Sequence, residues 1–493
     1  MIRPKRTKIV ATLGPASRER ESVAELVRSG VDVFRLNAAH ASHEVLREDT
    51  ATIRSVAAEL GQAVGILVDL QGPKIRVGPF KDAEPIFLHR NRELIVSCAP
   101  GVVGEAAPEG EVTRIGSAYH GLASDVNPGE RILLDDGMIE LSVLSVDGTE
   151  IRTKVLHGGL LKQHKGINMP GSSVSMPSLT EKDIADLAVV TDLGVDFIAI
   201  SFVRQPEDVS QLKERIVAAG SDAQVIAKIE RPEAVANLKA ILDVTDGLMI
   251  ARGDMGVELG PEVVPGVQKR MIRMAIQARK PVITATQMLE SMITNPRPTR
   301  AEASDVANAI YDGTSAVMLS AETASGQFPV RTVRIMSRII RRTESDMANA
   351  EPMARRRTET SPESSTVTMA TVRAASYAAS LTQAKLIAVF TESGSTARLL
   401  AGERTSTPVY GFTPSERSVQ RLSLYWGVTP RRLEHANSVR QMMVDAEKQL
   451  LEAGLVRNGD TYAVVVGTSR RPGIANIMKL RTVGDVEEPG GEG

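Results

Sequence analysis

Short runs of apolar and β-branched residues recur along the first two thirds of the chain. They are KIVATLG (8–14), VDVFRLN (31–37), AVGILVDL (63–70), DFIAISFV (196–203), AQVIAKIE (223–230), GLMIARGD (247–254), PVITATQ (281–287) and SAVMLSAE (315–322). Between most of them lie segments with a helical period, such as EKDIADLAVVTDLG and PEDVSQLKERIVAAG. Near-continuously apolar strands belong in a parallel sheet covered by helices, so eight such units predict an α/β fold, a (β/α)8 TIM barrel.

One unit is interrupted. After DLQGPKIR (69–76) the texture changes to turn-rich, short alternating runs such as GERILLDDGMIELSVLSVDGTEIRTKVLHGG. That pattern predicts a small inserted β-barrel lid domain, leaving the barrel after its third strand, where βα loops gather and a lid can close over a site. The helix VRTVRIMSRIIRRTESD (330–346) closes the barrel, and the polar stretch EPMARRRTETSPESST (351–366) reads as linker. Beyond it LIAVFTESGS, PVYGFTPS and TYAVVVGTS resume the αβ alternation of an open sheet. The expected division is a barrel over 1–72 and 170–348, an insertion over 73–169, a linker over 349–366 and a C-terminal α/β domain over 367–493. VEEPGGEG, at the end, reads as a frayed tail.

Composition narrows the class. A chain of 493 residues is too long for one core. With 59 basic against 60 acidic residues there is no global field to draw nucleic acid or an anionic membrane. The single cysteine, Cys98, excludes an intramolecular disulfide framework. The start, MIRPKRTKIVATLG, lacks a signal peptide's apolar core, and no uninterrupted apolar run reaches membrane length. A soluble, cytoplasmic protein is expected. The RRR at 355–357 reads as a solvated charge run.

Polar residues fall where the strands of a barrel should end: Arg35, Asn37, Asp69, Ser201, Lys228, Glu230, Asp254, Thr286, Ser320 and Glu322. Core-facing strand positions are normally apolar, so this array predicts a site at the carboxyl ends of the strands. In KIE (228–230) the lysine and glutamate share a face, because side chains alternate along a strand. Glu230 and Asp254, from neighbouring strands, can converge as the two carboxylates that Mg²⁺ accepts while keeping places for substrate and water. A structural Lys228–Glu230 ion pair is the plain alternative. RGDMG reads as a Gly-rich turn whose N–H groups form an anion nest.

KIVATLGPAS, FRLNAAH, DLQGPKIR, KGINMPG, EKDIADL, AKIE, ARGDMGVE, ATQMLESM, RPTRAE, DVANA, DGTSAVMLSAET and TESGSTAR follow one another along nearly the whole chain. The series resembles the pyruvate kinase family. The resemblance implies transfer of the phosphoryl group of phosphoenolpyruvate to ADP, giving pyruvate and ATP, in a homotetramer. It makes Lys228 the group that stabilises the phosphoryl in flight and Arg35 its clamp. Glu230 and Asp254 would hold Mg²⁺ (or Mn²⁺), and Gly253, Asp254 and Thr286 would receive the substrate carboxylate. Asn37, His40, Arg76 and Lys165 resemble nucleotide contacts. Thr286 and Ser320 would position the proton-donating water.

Family members that require K⁺ bind it through an asparagine, a serine, an aspartate and a threonine carbonyl, with a glutamate after the Gly-Pro turn. This chain keeps Asn37 and Asp69 but has Ala39, Leu70 and Lys74 at the other positions. The pattern resembles the K⁺-independent branch, with Lys74, near Asn37 and Asp69, supplying the charge. In the C-terminal domain the loop Thr391, Glu392, Ser393, Gly394, Ser395, Thr396 joins a strand to a helix start, a geometry that binds phosphate. The resemblance makes it an allosteric site. Glu392 disfavours a second phosphate, so a sugar monophosphate or AMP is expected. Simple helix capping by Ser395 or Thr396 is the alternative there. For the whole chain, a carbon–carbon lyase on a phosphoenolpyruvate/pyruvate barrel and a silent sugar-phosphate sensor are the competing readings.

Overall fold

The structure, a computed structural model, describes residues 5–108, 111–172, 176–349, 366–436, 438–467 and 474–485. Most of the stretch read as linker, including 355–357, and the tail 486–493 lie outside these residues.

Eight parallel strands close into a barrel in the order Lys8–Thr12, Val33–Asn37, Gly65–Asp69, Phe197–Ile200, Gln224–Ile229, Gly247–Ala251, Val282–Ala285 and Ala316–Leu319, the last pairing back to the first. The eight apolar runs of the sequence supply these strands. Each strand is shorter than its run. Their inward side chains, among them Val10, Leu67, Phe197, Ile226, Met249 and Met318, fill the barrel interior. Outward residues pack on the helices as a second and larger core. The covering helices carry the expected stops and starts. Thr180 and Asp183 form a capping box on Glu181–Asp192, and Thr299 with Glu302 forms another on Arg300–Asp312.

The insertion leaves after Gly65–Asp69 and returns ahead of Glu181–Asp192. Its six-stranded sheet runs Ile167–Asn168, Arg131–Leu134, Ile139–Asp147, Glu150–His157, Glu93–Ser97, Thr113–Gly116, and curls as a half-barrel around its own apolar core. The outgoing and returning chains pair with each other: Arg76 bridges Gly166, and Ile167 N–H donates to Ile75 O at 2.9 Å. The lid therefore hangs from a two-stranded neck.

The C-terminal sheet is ordered Val428–Arg432, Val409–Thr413, Ile387–Phe390, Thr461–Val466, Ile477–Thr482, with only the last strand antiparallel to its neighbour. An apolar cluster covers each of its faces. This domain seats against the amino ends of the barrel strands. Leu424 is fully buried in the barrel's interior cluster. Ser423 Oγ would lie 2.8 Å from a Cβ at residue 65, so glycine at the start of that strand is what permits the close approach. Lys8 Nζ donates to Val428 O at 2.7 Å and Tyr425 Oη to Gln224 Oε1 at 3.1 Å. Arg404, half-buried beside these contacts, stacks 4.7 Å over the ring of Trp426.

Candidate active site

At the opposite, carboxyl ends of the strands lies a buried ionic cluster. Lys228 leaves the strand Gln224–Ile229 and places Nζ 3.0 Å from Glu230 Oε1 and 3.3 Å from Asp69 Oδ1, and donates to Ser201 Oγ at 2.7 Å. All three ammonium protons thus face an oxygen. Burial favours the neutral amine, but Asp69 and Glu230 outweigh it and hold the Lys228 pKa above its ordinary value. Asp69 is held below the usual carboxylate range: burial acts upward, and Lys228 and Arg35 overcome it. Arg35 forks onto Asp69 Oδ2 through Nη2 at 2.6 Å and Nε at 2.9 Å, and Nη1 reaches Thr12 Oγ1 at 3.2 Å. The strand-end polar residues Arg35, Asp69, Ser201, Lys228 and Glu230 are therefore one contact network.

Glu230 has its other oxygen on Phe202 N–H, 2.7 Å away. Burial pushes its carboxyl above the usual range; Lys228 opposes this and Asp254 adds to it. An enclosed carboxylate pushed upward by burial and by a second carboxylate beside it is relieved by a divalent cation. Glu230 and Asp254 fit such an ion on that ground. Among the described residues no cluster of three or more Asp, Glu, His or Cys side chains is poised for a metal.

RGDMG is not a turn. Arg252–Leu259 is an eight-residue helix whose first residues directly follow the strand Gly247–Ala251. Both glycines argued for a turn, but tertiary contacts override that preference. Gly253 N–H donates to Thr286 Oγ1 at 2.9 Å, and Arg252 binds Asp305 Oδ2 at 2.6 Å and Thr286 O at 2.6 Å. Thr286 itself has φ 68°, a strained conformation for a β-branched residue that these bonds hold in place. Arg252 and Asp305 escaped the reading of the sequence, since nothing in their spacing marks them as supports of Thr286. Glu322 has both oxygens on backbone N–H groups, those of Ser320 and Leu289, and braces two loops.

Lys74 does not pair with Asp69. Its Nζ is 3.5 Å from Asp254 Oδ1 and 3.9 Å from Asp136 Oδ1, so it links the barrel to the lid hairpin. Asp69 is already taken by Arg35 and Lys228, and Asn37 Oδ1 accepts Ala39 N–H at 3.1 Å. On the lid, Lys165 pairs with Asp135 at 2.8 Å, and Arg76 donates to His164 O at 3.0 Å. His40 is held below the ordinary imidazole value by burial and by Arg76, Arg35, Lys74 and Lys182, which favours the neutral ring. In the C-terminal domain, Gly394 (φ 81°) starts the helix Ser395–Gly402 with no side-chain cap. The cap position is the glycine's, and Ser395 and Thr396 are the helix's first two residues. Ser393 Oγ donates to Ser395 Oγ at 3.2 Å, and Glu392 O accepts from Ser418 Oγ at 2.7 Å.

Fold and cluster together define a (β/α)8 enzyme with a lidded site at the carboxyl ends of its strands. The family model described as pyruvate kinase, barrel domain, matches residues 4–333, and that described as pyruvate kinase, alpha/beta domain, matches residues 369–481. The chain belongs to the pyruvate kinase family and is an enzyme of the phosphotransferase class. It is 42% identical over 489 residues to a pyruvate kinase of Bacillus licheniformis, covering 99% of this chain and 82% of the relative. To one of Staphylococcus aureus it is 44% identical over 484 residues, 98% of this chain and 81% of the relative. A crystal structure of a pyruvate kinase from Cryptosporidium parvum superposes with a TM-score of 0.91 at 34% identity, covering 97% of this chain and 96% of the other. The lyase and silent-sensor readings fall with this membership. Among the described residues no helix is long and apolar enough to cross a membrane.

Proposed function

We propose that this protein transfers the phosphoryl group of phosphoenolpyruvate to ADP, producing pyruvate and ATP. The observation that carries the reading is Lys228, a buried ammonium kept charged between Asp69 and Glu230 beneath the lid. A transferring phosphoryl spreads negative charge over its equatorial oxygens, and a fixed cation in a water-poor site stabilises that charge best. Of the three oxygens around Nζ, Ser201 Oγ is the only neutral one, and an incoming phosphoryl oxygen competes with it for a proton. Arg35, oriented by Asp69 and Thr12, clamps the same group with the guanidinium N–H groups that those bonds leave over. Glu230 and Asp254 are the residues for Mg²⁺ or Mn²⁺, which when bound there would neutralise substrate carboxylate and phosphate charge.

The helix beginning at Arg252 points its first N–H groups at the site, which suits the substrate carboxylate at Gly253 and Asp254. Thr286, which now accepts the Gly253 N–H, belongs to the same subsite. Asn37, His40, Arg76 and Lys165 border the space under the lid and are assigned to ADP. Neutral His40 adds no charge there. K⁺ is read as dispensable: Ala39 removes a hydroxyl ligand, and Lys74 already brings a fixed cation to Asp254. The loop from Thr391 to Thr396 is assigned to a sugar monophosphate or AMP that activates the enzyme, and the assembly is read as a cytoplasmic homotetramer.

The test is pyruvate formation from phosphoenolpyruvate, ADP and Mg²⁺ in buffer free of K⁺ and NH₄⁺, repeated with KCl. Turnover in the first buffer supports both the reaction and the K⁺ reading. Turnover only in the second keeps the reaction and removes the role of Lys74. No turnover in either, with effector present, overturns the reaction.

A further inference from the structure

The returning arm of the lid's neck ends on a buried three-residue contact. Asn168, in the last lid strand, donates through Nδ2 to Glu258 Oε1 at 2.8 Å. Arg231, which follows Glu230, donates to the same oxygen through Nη1 at 3.3 Å and to Ser172 O through Nη2 at 3.1 Å. Ser172 Oγ in turn donates to Glu130 of the lid at 2.8 Å. Glu258, Arg231 and Asn168 are 6%, 7% and 7% exposed. Three polar side chains from three segments, enclosed around one carboxylate oxygen, are costly to hold there unless each bond is kept.

Glu258 also lies four residues beyond Asp254 on the helix Arg252–Leu259, so the two share a face of one short rigid element. The helix thus carries a metal-type carboxylate at one end and the lid's anchor at the other. Arg231 carries the same link to Glu230, its neighbour in the chain. The neck's outgoing arm passes Lys74, which reaches Asp254 as well.

We propose that Glu258 is a positioning residue that bolts the lid's returning strand to the helix bearing Asp254, so that the attitude of the lid and the direction of the Asp254 carboxylate change together. The proposal rests on the phosphoryl-transfer reading for its kinetic consequence but not for its structural one. Lid and metal site then form one cooperative element, and ADP, met by the lid residues Arg76 and Lys165, feels the bolt more than phosphoenolpyruvate does.

The test compares Glu258→Ala, Asn168→Ala and their double variant. Backbone hydrogen exchange of the metal-free proteins reads the neck pairing at 73–77 and 164–168 without requiring activity. Loss of one buried bond should speed exchange there by roughly fivefold to tenfold while leaving the strand Gln224–Ile229 unchanged. In the loaded enzyme KM for ADP should rise by roughly fivefold and KM for phosphoenolpyruvate by less than about twofold. The double variant should be no worse than Glu258→Ala alone, because both changes break one link. Unchanged neck exchange, equal shifts of the two KM values, or additive losses in the double variant would overturn the bolt. Asn168→Ala removes no charge and keeps the test decisive if Glu258→Ala does not fold. A wild-type enzyme that forms no pyruvate would sink the functional reading alone, since the exchange measurement still decides the bolt.

Discussion

Lys228 Nζ stands 3.0 Å from the Glu230 carboxylate, two residues further along the same chain, and both side chains are almost wholly enclosed. Each charge offsets part of the cost of enclosing the other. Asp69 supplies the second counter-charge, and Arg35 prevents that carboxylate from turning away. The cluster is preorganised before any substrate arrives.

Replacing Lys228 with Gln should therefore abolish the transition-state term and leave the fold. Steady-state assays should show kcat reduced by about 10³-fold or more, with the circular dichroism spectrum unchanged. A pH–rate profile of the wild type should show no basic limb from Lys228, whose pKa is held upward by Asp69 and Glu230 against the effect of burial. A fall of less than about tenfold in the Lys228→Gln variant would remove it from the chemistry.

Lys74→Glu should convert the enzyme to K⁺ dependence. Glutamate removes the cation now 3.5 Å from Asp254 and adds like charge beside it. Activity without K⁺ should drop by about 10-fold to 100-fold, and KCl should restore most of it. Loss that KCl does not restore would make Lys74 a lid contact alone.

Lys8 yields a prediction about stability. Burial pushes its amine down to about 8 from an ordinary 10.5, against the opposing pull of Asp32. Between those two values the unfolded chain binds more protons than the folded one, so this group makes stability rise with pH across that window. Below pH 8 the penalty is fully present, on the order of 3 kcal/mol, less about 1 kcal/mol for the bond to Val428 O. Lys8→Met should melt above the wild type at pH 7, with the gap closing by pH 10. A gap independent of pH would show that Lys8 is charged or neutral in both states alike.

The loop at Thr391–Thr396 should respond to phosphate monoesters. AMP or glucose 6-phosphate should lower the phosphoenolpyruvate concentration needed for half-maximal rate, and fructose 1,6-bisphosphate should do so far less. Ser395→Asp, which puts a carboxylate at the start of that helix, should reduce activation by about tenfold or more and leave the unactivated rate unchanged. Equal activation of both proteins would place the effector elsewhere.

The barrel was legible because parallel strands are apolar on both faces, and their polar ends stand out against that background. Lys228 and Glu230 share a face for the same reason, one residue of the opposite face intervening. The helix at Arg252 was not legible: glycines at 253 and 256 argue locally for a turn, and the bonds that override them come from Asp305 and Thr286, far along the chain. Lys74 lies beside Asp254 and not beside Asp69, the carboxylate its sequence neighbours suggest. Which acid a flexible ammonium meets depends on the lid's packing, and no local pattern encodes that. The Glu258 contact was hidden in the same way, being assembled from three distant segments.

Leu424 has one further consequence. The C-terminal domain supplies a stopper at the amino ends of the strands, adding a leucine to the residues that fill the barrel interior. An isolated barrel would be left uncorked and an isolated C-terminal domain would expose its plug, so the two are expected to be inseparable as folding units. Any shift of the C-terminal domain is then delivered along the barrel's axis from beneath, rather than around its rim of helices.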